Sequence, residues 1–109
     1  MKGVNGISVE VTEEGIYKGI RGNGECCPVA IALYDIVSDN VIIEVRTNEV
    51  CFFAMDEDDC VVDTLNYTLP PEARQFIAAF DMGLYVIPFS FKLPMDCRHR
   101  NNLTDKKGG

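Results

Sequence analysis

Two adjacent thiols stand directly before a proline, Cys26-Cys27-Pro28, at the head of an apolar segment running to Val37. A thiol at a helix N-terminus meets unsatisfied N–H groups and the positive end of the dipole, and both favour the nucleophilic, metal-binding thiolate. Cys27 is the better placed of the pair. Redox chemistry would also need an accessible sulfur and a resolving partner, and the sequence shows neither, so a structural thiol at the helix start is the favoured reading. Cys97 and His99 add two more donors, which makes Cys26, Cys27, Cys97 and His99 a conditional zinc set. Structural zinc sites, however, use ligands paired roughly two to four residues apart at both ends, and that pairing is missing. The expectation is no metal, no cofactor and no catalytic residue.

Other candidate chemistry fails on pattern. The acidic run Asp56-Glu57-Asp58-Asp59 lacks the glycine and the distant bidentate glutamate of a calcium loop. It reads as a charged turn that keeps a hairpin from aggregating, and its outward carboxylates are interface candidates together with Arg74. Ser8, Ser38 and Ser90 sit in strand or turn contexts, none in a nucleophile elbow, and no triad can be built around the single His99. Gly22-Asn23-Gly24 lacks the lysine and hydroxyl of a phosphate loop and is expected to be a flexible connection.

The elements that must position these groups follow from periodicity. Ile7, Val9 and Val11 alternate with Ser8 and Glu10, as in a half-buried strand. Thr12 caps a short helix from Glu13 to Ile20, with two glutamates in its first turn and Val11 and Ile16 at staple spacing. A second helix is expected from Pro28 to Val37, then strands Val41 to Arg46, Val50 to Met55 and Cys60 to Thr68. The strongest helix signal is Pro71 to Met82: Ala73, Phe76, Ile77 and Phe80 form one stripe, Pro71 opens it and Gly83 closes it. Leu84 to Leu93 reads as a last strand, which Pro88 marks as an edge or a bulge, and its apolar residues Tyr85, Ile87, Phe89 and Phe91 suggest pairing in a homodimer. The order β-α-α-β-β-β-α-β predicts an α+β fold, an antiparallel sheet of about four or five strands with two or three helices on one face.

Composition bounds the function. At 109 residues and 47% apolar content, the chain is one domain, placed at residues 1–97. Residues 98–109 carry Arg98, Arg100, Lys106 and Lys107 against Asp105 and are expected to form a basic, disordered tail. The net charge of −7 therefore splits into +3 on that tail and −10 on the rest. So negative a body repels phosphate backbones and excludes nucleic-acid binding through its surface. No run is long enough to span a bilayer and the N-terminus lacks an apolar secretion block, so a cytoplasmic location is expected. Five cysteines, an odd number with two adjacent, exclude a complete disulfide framework.

Three blocks taken together, Val11-Thr12-Glu13-Glu14-Gly15-Ile16, Cys27-Pro28-Val29-Ala30-Ile31-Ala32-Leu33 and the Leu69 to Asp81 segment with its following Pro88-Phe89-Ser90-Phe91, resemble a group of small uncharacterised proteins carried by bacteria and their phages. The resemblance implies a compact soluble domain encoded on mobile or phage-related DNA, and it implies no activity or site residues. The functional expectation is a small acidic, non-enzymatic domain that binds another protein; the alternative is a thiol-redox or metal protein centred on Cys26 and Cys27.

Overall fold

The structure, a computed structural model, describes residues 6–94. The fold is α+β: strands β1 (Ile7–Val11), β2 (Val41–Val45), β3 (Glu49–Met55), β4 (Val61–Thr68) and β5 (Phe89–Leu93), with helices α1 (Glu13–Lys18), α2 (Pro28–Tyr34) and α3 (Pro71–Asp81). All neighbouring strands are antiparallel, and they divide between a β1-β5 pair and a β2-β3-β4 sheet. Among the described residues no helix is long and apolar enough to cross a membrane.

Each sheet turns one face to the core. In the pair, Ile7, Val9 and Val11 lie opposite Leu93, Phe91 and Phe89. In the triple sheet, Ile43, Phe52 and Leu65 share one row, and Val45, Val50 and Tyr67 the next. Phe52 and Tyr67 close that face edge to face, with ring centroids 5.9 Å apart. Helix α2 contacts both β1 and β2 and buries Val29, Ala30, Ala32 and Leu33, so it ties the two sheets to one core.

Helix α3 follows its sequence signals closely. Pro71 occupies its first turn, and Ala73, Phe76, Ile77 and Phe80 are its buried face. Gly83 takes φ 80°, its N–H donates to the Phe80 carbonyl, and the Leu84 N–H donates to Ala79, which is the double closure of a Schellman cap. A run of rings then joins helix to strand: Phe80 against Phe76 at 6.2 Å, Phe76 against Phe89 at 4.8 Å, and Phe89 against Phe91 at 5.6 Å.

Several boundaries differ from the periodicity, those of β2, β3 and α3 by a single residue. Helix α1 stops at Lys18 instead of Ile20, because Gly19 turns to ψ 153°; the Thr12 cap is present, its Oγ1 accepting from the Gly15 N–H at 3.0 Å. Helix α2 stops at Tyr34 instead of Val37: the Ile36 N–H donates three residues back to Leu33, a tighter turn that still leaves Val37 buried. Strand β4 begins at Val61, after the turn that ends at Cys60. Strand β5 begins at Phe89, not Leu84, since Leu84 to Pro88 forms no ladder and Pro88 has no N–H to donate to one. The expected basic tail, 98–109, lies outside the described residues.

The Gly22-Asn23-Gly24 segment is pinned, contrary to the flexible connection expected from its composition. Gly22, at φ 70°, donates its N–H to Asp81 Oδ1 at 3.0 Å, and Asn23 Oδ1 accepts from the Glu25 N–H. Gly24 lies so close to β2 that a Cβ there would sit 2.4 Å from the Val45 carbonyl oxygen. Only a residue without a side chain permits that approach.

Candidate functional site

The thiol pair is divided by burial. Cys27 is the N-cap of α2 and is buried, while Cys26 is half-buried. Burial pushes the Cys27 thiol above its ordinary range; the amides of Val29 and Ala30 pull the other way, and Asp81 adds to the upward push. The pull of the helix start toward thiolate is therefore outweighed by desolvation, and the protonated thiol is favoured. Cys51 is also buried and raised by desolvation, opposed by Arg46, which lies across it in ion pairs with Glu44 at 3.1 Å and Glu49 at 3.3 Å. Cys60 is exposed. Among the described residues no three histidine, cysteine or acidic side chains converge on a metal position; Cys97 and His99 lie outside the described residues.

The acidic run forms the β3–β4 turn. Asp56 Oδ1 accepts from the N–H groups of Asp58 at 2.8 Å and Cys60 at 2.9 Å, so this carboxylate shapes its own loop. Asp59 supplies the left-handed residue at φ 63°. Glu57, Asp58 and Asp59 are exposed. Arg74 is half-buried on α3, so only part of its side chain is open to a partner.

A different place in the fold collects what a binding site needs. The end of α3, the connection into β5 and helix α1 form an open groove of about 320 Å³, with Ile16, Phe80, Val86 and Pro88 among its apolar lining. Two tyrosines stand over it, Tyr17 from α1 and Tyr85 from the connection, 89% and 91% exposed. Met82, Leu84 and Ile87 are also exposed on these same segments, and Ile20 just beyond the end of α1. Arg21 reaches the groove past Gly83, where a Cβ would come within 3.4 Å of its Nη1. Its guanidinium sits at the carbonyl end of α3, a position the helix dipole favours. Glu13 also lines it.

Tyr17 and Arg21 do not stand out as candidates from sequence, and Tyr85 does so only as part of a strand expected to pair in a homodimer, because the groove's two halves are some 60 residues apart in the chain. One signal was legible: the surplus of apolar residues after the helix stop at Gly83, which no strand ladder absorbs before Phe89. Comparison with family models, curated proteins and solved structures finds no match to this chain.

Proposed function

We propose that this is a non-enzymatic protein-binding domain whose docking site is the groove between α1 and the α3–β5 connection. The observation that carries the reading is the pair of tyrosines, Tyr17 and Tyr85, almost wholly exposed beside an apolar lining. Exposed aromatic groups around an apolar trough are the usual anchors of protein interfaces, since they bury large area with few rotamers to freeze. Arg21 offers donors to a partner's carbonyl or carboxylate groups. The −10 charge of residues 1–97 favours approach by a partner with a basic surface, and the exposed Glu57, Asp58 and Asp59 extend that field. An origin on phage-related DNA, implied by the motif resemblance, fits a protein that acts on a host protein.

Site-specific photo-crosslinking tests the reading in cells. A crosslinker in place of Tyr85 should give a discrete protein adduct that Tyr17→Ala abolishes, while one at the exposed Glu25, outside the groove, should not. Equal labelling at the two positions, or an adduct that persists in Tyr17→Ala, would overturn it.

A further inference from the structure

The two edges of the β2-β3-β4 sheet are treated differently. On β2 the N–H groups of Val41, Ile43 and Val45 face away from β3, and each has an acceptor: the Ser38 carbonyl at 3.2 Å, the Tyr34 hydroxyl at 2.8 Å and the Gly24 carbonyl at 2.8 Å. The Tyr34 hydroxyl in turn donates to the Ile43 carbonyl at 3.4 Å. That edge is closed to any further strand.

Strand β4 has no such cover among the described residues. Hydrogen-bonded and open pairs alternate along an antiparallel ladder. The Leu69 N–H donates to Asn48, so Tyr67 and Leu65 pair with Val50 and Phe52 through hydrogen bonds. The N–H and C=O groups of Thr64 and Asn66 therefore face outward, and both residues are exposed. The strand is eight residues long, lacks proline and lysine, and carries Asp63 as its one charge. Val61 and Val62 are 52% and 62% exposed at its start. The usual edge devices are confined to its start: a bulge that leaves Val62 unpaired, since Ala54 pairs with Asp63 and Met55 with Val61, and the Asp63 charge beside it. From Thr64 to Thr68 no proline, charge or covering segment among the described residues protects the edge.

The geometry points to a second copy of this chain as the occupant, β4 pairing antiparallel with β4 across a twofold axis at Leu65 to make one six-stranded sheet. In this register Thr64 of one copy lies opposite Asn66 of the other, and each pair exchanges both backbone hydrogen bonds. Leu65 meets its counterpart on the core-facing side, extending the row of Ile43 and Phe52. Asp63 falls opposite Tyr67, away from its own symmetry mate. A foreign peptide fits less well, because strand addition draws its specificity from side-chain pockets beside the edge. The groove described above, the hollow at Gly24 and the one at Asp56 are lined by no β4 residue. Edge pairing over one strand is a small interface, below about 1,200 Å², so the dimer is weak and reversible. It uses neither Tyr17 nor Tyr85, and stands or falls independently of the groove.

Sedimentation of the full chain over rising concentration, with amide exchange at Thr64 and Asn66, tests this. The mass should rise from 12.1 kDa toward twice that value, with both amides protected only in concentrated samples. Thr64→Lys with Asn66→Lys places like charges opposite in both pairs and should weaken association by about tenfold or more. Thr64→Lys with Asn66→Glu places opposite charges there and should restore it. Thermal melts confirm that both variants fold. A monomer at every concentration, amides protected even on dilution by another part of the same chain, a dimer indifferent to the lysine pair, or no restoration by the charge-swapped pair would each overturn the proposal.

Discussion

Replacing Phe76 by Ala tests how α3 is held to the rest of the molecule. Phe76 is 8% exposed and its ring contacts Phe80 on its own helix and Phe89 on β5. Moving a buried aromatic ring into water costs about 1.5–3 kcal/mol by area alone. The cavity left behind raises a typical Phe→Ala change to about 3–5 kcal/mol. Two ring partners are lost, against the single one of Phe80, so Phe76→Ala belongs at the upper end and Phe80→Ala slightly below it. Urea unfolding followed by circular dichroism should show a midpoint shift at unchanged slope, with Gln75→Ala on the exposed face within about 0.5 kcal/mol of the parent. A double-mutant cycle of Phe76→Ala with Phe89→Ala should return a coupling of about 0.5–1.5 kcal/mol for the 4.8 Å ring pair. A Phe76→Ala cost below about 1 kcal/mol, outside the range for a buried ring, would refute the packing of α3 on β5 described above.

Stability should fall as pH rises above about 8.5, since the unfolded chain then releases thiol protons that the folded chain, with Cys27 and Cys51 raised by burial, retains. Below that pH this contribution is fully present; unfolding midpoints of Cys27→Ala/Cys51→Ala should decline less between about pH 8 and 10, and equal slopes would contradict the assignment. Native-state titration with a thiol reagent should find Cys60 fast and Cys27 slow among the described cysteines. Tyr34→Phe removes the acceptor of the Ile43 N–H and should cost about 1–3 kcal/mol while accelerating exchange of that amide, visible by NMR. Gly24→Ala should cost about 1–3 kcal/mol from the clash with Val45, and strand β2 amides should report it; a neutral result would mean the segment is not pinned.

Local physics was fully legible where one segment carries its own instructions. Thr12 caps α1, Ile7, Val9 and Val11 alternate into the core, and Pro71, the Phe76-Ile77-Phe80 stripe and Gly83 define α3, because capping, periodicity and left-handed geometry depend on neighbours within a few residues. Length and charge likewise followed from counting. The tertiary structure decided everything that compares distant segments. It split the strands into two sheets by giving β5 to β1, and ended the last strand's reach at Pro88. It sank Cys27 deep enough for desolvation to overrule the helix terminus, a balance of burial that no local pattern encodes. It also closed one sheet edge with the hydroxyl of Tyr34, left the other open, and brought Tyr17 beside Tyr85. Which surfaces remain uncovered depends on how the whole chain packs, and that is a sum over contacts remote in sequence.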